Sequence, residues 1–465
     1  MLNDKAVKNL VIKKAVPLGA KVWASIIIFG FMGQITWAVE NSYFSTYIQQ
    51  RITAESWATS ATVIFSAIFA TVASIIGGAI SDRIGKRRPF VCWGYFVWGL
   101  LTMAFAFFGD EAYVGDAQLI TSVVVVFVLM DALMSFVGSM ANDAAYSAWV
   151  TDVTDVSNRS YVDTIVGLFP LFAMVVILVG FSGMANSGKW SEFFLILGAV
   201  PSISGLIGLL IFRDSPTLKP SKDGTYLKQV AYGFKWENIK ANKMIYVCFL
   251  AILFSSLGMQ IWMPYMISII IDTLQIGYVL PILIVILASS LIAVIAGKLM
   301  DKYGKDKFFY PVVIVEAVGG LVAYLTKFVQ GQADLTTVFL IVGGTMIMSG
   351  SLMIGGLFMA SARDYMPEGR AGCFQGIKMI LCIMLPMVLA SFIDPVIIKT
   401  VALTPSAEFI LAHPTYSNSY LYPHELFLWA GIFAFFVLIP TFFVKRDARH
   451  IRKQKMEELH LINQE

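Results

Sequence analysis

The feature that most constrains this chain is a series of twelve apolar runs, each about as long as a helix that crosses a bilayer. Of the 465 residues, 58% are apolar and 14% are charged, and the mean hydropathy is +0.75. A soluble domain has about 25% charged residues, so these values exclude a soluble enzyme and a disordered chain. We therefore predict an all-α membrane protein with twelve transmembrane helices, at residues 22–48, 57–80, 90–108, 118–148, 161–182, 191–212, 243–271, 275–299, 308–328, 335–360, 371–394 and 425–444.

The lysines and arginines predict how these helices are oriented. Most of the 34 basic residues fall at the two termini or in the even-numbered connections. The odd-numbered connections hold only Arg51, Lys189, Lys327 and Lys399, and Lys378 lies inside a span. Because basic residues remain on the cytoplasmic side, both termini are predicted to be cytoplasmic, in a multi-pass protein of the cell membrane. The net charge of +4 is too small to indicate nucleic-acid binding.

The two halves of the chain share a repeat. Gly78–Arg88 follows span two and Gly297–Lys307 follows span eight, with glycine, aspartate, glycine and lysine at matching positions. Repeated halves are typical of transporters that rock about a central site. We predict a tail (1–21), a six-helix bundle (22–213), a cytoplasmic linker (214–242), a second six-helix bundle (243–444) and a second tail (445–465).

The two repeated loops are predicted to form a cytoplasmic gate. Gly78 would let two helices approach closely, and Gly85 would allow a tight turn. Asp82 could accept hydrogen bonds from a helix amino terminus and from an arginine. The alternative is a basic anchor that only determines topology. The candidate gate residues are Gly78, Asp82, Arg83, Gly85, Lys86, Arg87, Arg88, Arg159, Asp301, Gly304, Asp364 and Arg370.

The first loop, G-x-x-x-D-R-x-G-K-R-R, resembles the signature loop of the major facilitator superfamily, and the resemblance implies that fold. Three other segments, 33–41, 142–152 and 369–376, resemble the glycoside–pentoside–hexuronide:cation symporters and the related sucrose transporters. That resemblance implies uptake of a sugar or glycoside together with a proton or a sodium ion. Some relatives in the same branch move lysolipids instead.

The resemblance also implies a role for Asp143, because the corresponding motif of melibiose-type symporters carries an aspartate that takes part in cation coupling. Sodium users of that family have two further aspartates in span two, whereas residues 69–76 of this chain contain no carboxylate. A single carboxylate is a poor sodium site but can bind a proton. We therefore favour proton over sodium, and uniport remains an alternative.

Other charged residues in the spans are also candidates, because a charge at the membrane centre costs about 2.5–3.5 kcal/mol. At about 100° per residue, Asp131, Ser135, Asn142 and Tyr146 share one stripe of span four, with Asp143 near its edge. Such a stripe lines a cavity or holds helices together. Lys378 would pair with a carboxylate or extend to the cytoplasm. The candidates for cation coupling are Asp143, Asp131 and Lys378.

Span one has the composition of a sugar site, since Gln34, Trp37 and Asn41 share a face. Amides hydrogen-bond to hydroxyl groups and an indole stacks on a sugar ring. Span seven offers Gln260 and Trp262 beside Pro264, which could break the helix. The predicted substrate-binding residues are Gln34, Trp37, Glu40, Asn41, Asp131, Asn142, Tyr146, Gln260, Trp262, Gln375 and Lys378.

The remaining patterns narrow the function. The four cysteines lack metal-site spacing, and the four histidines lie outside the apolar runs, so we expect no metal and no cofactor. The chain has no G-x-x-x-x-G-K-[ST] motif, which argues against an ATP-driven pump. We predict a monomeric secondary transporter rather than an enzyme, working by alternating access. A lipid or lysolipid transporter, a transporter of another small solute and a non-transporting membrane sensor are the alternatives.

Overall fold

The computed structural model describes residues 18–113, 115–154, 159–216, 218, 220, 234–366 and 371–447, and no strand occurs among them. Twelve main helices follow one another along the chain. They are α1 (Ala20–Ile52), α2 (Ser56–Ile84), α3 (Arg88–Phe108), α4 (Ala117–Val153), α5 (Arg159–Gly180), α6 (Trp190–Ile211), α7 (Lys243–Thr273), α8 (Val279–Tyr303), α9 (Phe309–Val329), α10 (Ala333–Tyr365), α11 (Gly376–Val401, continuing a helix that begins at Ala371) and α12 (Glu425–Asp447).

Eleven of these helices are long and apolar enough to cross a membrane, which confirms an all-α membrane fold. They correspond to eleven of the twelve predicted spans. The predicted fifth span, 161–182, corresponds to α5, whose described apolar part, Ile165–Gly180, is shorter than the others. Short helices at Ser182–Asn186, Trp236–Ala241 and Ala407–Ala412 lie in the connections.

Four long helices change to π-helical geometry next to polar residues. These turns are Glu40–Phe44 in α1, Ser139–Tyr146 in α4, Ile269–Thr273 in α7 and Ile380–Met384 in α11. A second π turn ends α1 at Ile48–Ile52. Turns of π-helix inside α-helices are rare, and those that occur are often found at functional sites. The polar residues beside these turns are therefore candidates for a functional site.

The helix α7 also changes geometry at the predicted break. Its first α-helical segment ends at Trp262, and Met263–Tyr265 forms a 3₁₀ turn around Pro264. Proline lacks the backbone N–H that an α-helix needs, which accounts for the irregular turn. The chain then returns to helical geometry, so Pro264 distorts α7 without ending it.

The chain separates into two compact units. The first comprises the described parts of Met1–Glu40, Phe69–Asp110 and Met130–Thr225. Its core lies where α3 packs along α6, and the two helices meet at glycines. A methyl group at Gly99 would lie 2.2 Å from the Ser202 hydroxyl oxygen, so only a residue without a side chain fits there. The helix α1 packs against α5 and α6 in this unit.

The second unit comprises the described parts of Asn41–Ile68, Glu111–Leu129 and Tyr226–Glu465. Its apolar core is built from α7, α9, α10, α11 and α12, where α9 packs closely on α10 and α12. Glycines again allow the contact, since a methyl group at Gly320 would lie 2.5 Å from the Gly431 backbone nitrogen. The predicted division into two six-helix bundles and a linker stays a prediction, and most of both predicted tails lies outside the described residues.

Candidate functional site

Three polar residues of α1 and α4 meet inside the first unit. The Ser135 hydroxyl donates a hydrogen bond of 2.8 Å to Oε1 of Glu40. Asp131, one turn before Ser135 on α4, is fully buried and close enough to Glu40 to interact with it electrostatically. The structure therefore brings together two predicted site residues, Glu40 and Asp131.

The next polar group along α4 is centred on Asn142. The Tyr95 hydroxyl of α3 lies 2.7 Å from Oδ1 of Asn142 and 2.6 Å from the Phe29 carbonyl oxygen, and both oxygens are acceptors. The Asn142 amide donates to Oδ1 of Asp143 at 3.2 Å, and the Ser139 hydroxyl donates to Oδ2 of Asp143 at 2.9 Å. Asp143 itself is exposed, whereas Asn142 is buried.

The helix α1 approaches this part of α4 through two glycines. A methyl group at Gly33 would lie 2.5 Å from the Tyr95 hydroxyl oxygen and 2.7 Å from Oδ1 of Asn142. One at Gly30 would lie 2.5 Å from the hydroxyl oxygen of Tyr146, which donates to the Ile26 carbonyl at 2.8 Å. Asn142 and Tyr146 thus hold helices together here, and their predicted role in substrate binding stays a prediction.

We expect Gly33→Ala to destabilise the protein by about 1–3 kcal/mol, because the new methyl group must displace Tyr95 or Asn142. Gly167→Ala is the matched control, since a methyl group at that helical position of α5 meets nothing within 4 Å. The control should be neutral or more stable by up to about 1 kcal/mol. Thermal unfolding in detergent measures both, and equal midpoints would contradict the close packing of α1 on α3 and α4.

The predicted aromatic face of α1 is only partly exposed. Trp37 is half-buried, with its ring centroid 5.0 Å from that of Trp98. Gln34 is half-buried, and its amide hydrogen-bonds to no other residue in the described ranges. Asn41 is exposed and belongs to the second unit. Of the three residues of this predicted face, Gln34 and Trp37 belong to the first unit.

The loop between α2 and α3 is held by a buried arginine. Arg87 donates to Oδ2 of Asp152 at 3.1 Å and to the Ser81 hydroxyl at 2.5 Å, and it forms an ion pair with Asp82. Its side chain is 5% exposed, whereas Arg83, in the last turn of α2, is exposed. Lys86 and Arg88 are exposed as well.

The helix amino terminus in this loop binds an aspartate that the sequence did not indicate. Oδ1 of Asp214 accepts hydrogen bonds from the backbone N–H groups of Arg87 (2.7 Å) and Arg88 (2.8 Å) at the start of α3. A carboxylate is favourable at this end of a helix dipole. The structure thus gives Asp214 the helix-terminus contact expected of Asp82, whereas the expected contact between Asp82 and an arginine is present.

The two repeated loops share their turn but differ in their ion pairs. Gly85 and Gly304 both have positive φ, +68° and +88°, as the tight turn requires. Gly78 is buried, and a methyl group at its neighbour Gly77 would lie 2.8 Å from Met140 of α4. In the second loop Lys305 pairs with Asp364 at a half-exposed position. The side chains of Arg159, Asp301 and Gln375, and all of Arg370, lie outside the described residues.

The sequence profile of the Major Facilitator Superfamily matches residues 22–391. The chain belongs to the major facilitator superfamily. A search of curated proteins finds no significant match to the sequence.

Solved structures of this superfamily resemble the chain in fold. A bacterial homologue of the human lysosomal transporter Spinster, inward-facing and unoccupied, has a TM-score of 0.66 at 11% identity, covering 92% of this chain and 98% of its own. A D-xylose–proton symporter has a TM-score of 0.66 at 14% identity, covering 90% and 96%. A nucleoside transporter, as a D323A mutant, has a TM-score of 0.64 at 12% identity, covering 92% and 99%. At these identities the likeness establishes the fold alone.

The second unit of this superfamily member contains three predicted site residues of α7 and α11, Gln260, Trp262 and Lys378. Gln260 is half-buried, and Trp262 is buried with its ring centroid 5.5 Å from that of Phe427. Lys378 is half-buried and forms no ion pair with any residue in the described ranges. Glu316, also inside a span, is buried on α9 and accepts hydrogen bonds from the Ser255 hydroxyl at 2.8 and 2.9 Å.

Sequence reasoning missed a polar cluster at the predicted external ends of α1, α2, α7 and α11. Gln49 of α1 donates to the Thr59 hydroxyl at 3.1 Å and accepts from Ser268 at 2.5 Å. Asp394 of α11 accepts from the hydroxyl groups of Ser60 (3.2 Å) and Tyr265 (3.1 Å). All of these residues belong to the second unit. The sequence did contain a sign of this cluster, because Gln49 and Asp394 place an amide and a carboxyl group within or at the edge of apolar runs.

The connection between α11 and α12 crosses the same ends of these helices. The Tyr416 hydroxyl donates to Oδ2 of Asp272 at 2.5 Å, and the Tyr422 hydroxyl donates to the Ala54 carbonyl oxygen at 2.9 Å. Burial raises the pKa of Tyr416 and Tyr422 well above the ordinary value, so both remain hydrogen-bond donors. Burial lowers the pKa of the neighbouring His424 to about 4, which leaves that ring neutral at pH 7.

Proposed function

We propose that this chain is a secondary active transporter that carries a sugar or glycoside together with a cation, by alternating access. The observation that carries the proposal is the set of carboxyl groups inside apolar helices of the first unit, Glu40, Asp131 and Asp143. Uncompensated charges at membrane depth are costly and mark ion or substrate paths. The resemblance of three segments to the glycoside–pentoside–hexuronide:cation symporters supports this assignment.

The substrate class rests on amides and indoles that are partly accessible. The side chains of Gln34 and Gln260 are half-buried, and no residue in the described ranges hydrogen-bonds to either amide. Each could therefore exchange hydrogen bonds with a sugar hydroxyl, and Trp37 could stack on the ring. The fold is shared with a D-xylose–proton symporter, which is consistent with a sugar as substrate.

The coupling ion is proposed to be a proton. Residues 69–76 of α2 contain no carboxyl group that could join Asp143 in a sodium site. The candidates for coupling are Asp143, Asp131 and Lys378. We propose that the protein works as a monomer in the cell membrane, with both termini in the cytoplasm.

Uptake by proteoliposomes tests this function. We expect a labelled member of a glycoside panel to accumulate more than tenfold over its external concentration when the pH gradient is inward. A protonophore should abolish accumulation, and replacing sodium with potassium should not change it. Empty liposomes are the control. Sodium-driven accumulation would overturn proton coupling, and the absence of uptake for every glycoside would overturn the substrate class.

A further inference from the structure

The side chain of Asp131 is buried, and no described residue donates a hydrogen bond to it. It is 0% exposed, and neither carboxyl oxygen has a partner among the residues that the structure describes. No lysine, arginine or histidine of those residues forms an ion pair with it, and its one electrostatic neighbour is Glu40, a second acid. A carboxylate in such surroundings loses its hydration, and neither a hydrogen bond nor an opposite charge compensates for that loss. Asp131 is therefore placed as a neutral acid.

Glu40 lies in different surroundings. The Ser135 hydroxyl donates to its Oε1 at 2.8 Å, and the residue is half-buried rather than fully buried. A hydroxyl donor favours the charged form of a carboxyl group. When two acids lie this close together, ionisation of one makes ionisation of the other less favourable, so the better-solvated acid keeps the charge. That residue is Glu40.

The other charged groups that the structure describes in the first unit do not neutralise Asp131. Tyr95 and Tyr146 interact with each other, and Tyr95 also interacts with Asp143, further along α4. The charged side chains of α2, α3 and α6 occur near the helix ends, at Asp82, Arg83, Arg88 and Glu192, and Asp110 follows the end of α3. The side chain of Asp163 in α5 lies outside the described residues. The pair is thus an acidic site within apolar helices.

We propose that Asp131 and Glu40 form one proton-binding site, in which Asp131 carries the proton and Glu40 remains ionised. Binding forms one O–H bond and changes the charge of the pair from −2 to −1, and release breaks that bond and returns the proton to water. The identification of this proton with the transported one rests on the proposed function. Asp143 differs from Asp131 in having two hydrogen-bond donors, Ser139 and Asn142, which favour its charged form.

Infrared difference spectroscopy tests the site without any solute. The full chain in dodecyl maltoside micelles, which contain no carbonyl group, is taken through pH steps, and the neutral carboxyl absorption is recorded. We expect Asp131→Asn to lose one band that the wild-type protein has at pH 7. Glu40→Gln should keep that band but lose it on alkalinisation at a pH lower by about one unit, because the neighbouring negative charge is gone.

Two matched variants act as controls. Asp143→Asn should keep the Asp131 band, and Glu316→Gln, which removes a buried carboxyl group with a hydroxyl donor, should leave that band in place. If Asp131→Asn does not fold, Asp131→Glu should show the band at a shifted frequency. A complete wild-type spectrum in Asp131→Asn would overturn the site. Loss of the band without glycoside uptake would contradict the proposed function and leave the site standing.

Discussion

Arg87→Ala is expected to destabilise the protein by about 3–5 kcal/mol, because it removes the cation that Asp82 and Asp152 share. The side chain of Arg87 is almost fully buried, so water cannot replace it without rearrangement of the loop. Asp82 and Asp152 would be left as neighbouring acids without a counter-ion. Thermal unfolding in detergent, followed by tryptophan fluorescence, measures the loss.

Arg83→Ala is the matched control, since it removes the same charge from an exposed position of the same loop. We expect it to change stability by less than about 0.5 kcal/mol. Arg87→Lys should fall between the two, because a lysine keeps the charge but lacks the planar guanidinium that reaches three partners. Equal effects at Arg83 and Arg87 would show that the loop only anchors topology, which is the alternative to a gate.

Tyr416→Ala is expected to cost about 3–5 kcal/mol, because a fully buried aromatic ring and its hydrogen bond are lost together. Tyr416→Phe isolates the hydroxyl group. It removes the only hydrogen-bond donor that the structure shows for Asp272 in the described part of the chain and should cost about 1–3 kcal/mol, the usual penalty for leaving a buried polar group without a partner. Chemical and thermal unfolding in detergent give both values.

Tyr422→Phe is the comparison for this bond. Its hydroxyl donates to a neutral acceptor, the Ala54 carbonyl oxygen, so the expected loss is about 1 kcal/mol. If Tyr422→Phe costs as much as Tyr416→Phe, the carboxyl group of Asp272 holds this connection no better than a backbone carbonyl does.

The polar stripe of α4 is a part of the candidate site that could be predicted from the sequence. The helical repeat placed Asp131, Ser135, Asn142 and Tyr146 on one side, and the structure does direct them toward neighbouring helices. Periodicity cannot tell a wet cavity from a dry contact, because both need polar atoms on one face. Asn142 and Tyr146 form a contact between helices, because the glycines at 30 and 33 bring α1 within hydrogen-bond distance of them.

The sequence alone determined the membrane class, eleven long spans and the tight turns at Gly85 and Gly304. Those features are local, since they depend on the length of an apolar run or on the conformational freedom of one residue. Only the tertiary structure identified Asp214 at the start of α3, Asp152 on Arg87 and Asp394 beside Tyr265. These partners are far apart in the chain, and their distances depend on how whole helices pack. Among the described residues, the same packing leaves Asp131 without a donor and provides one for Glu40.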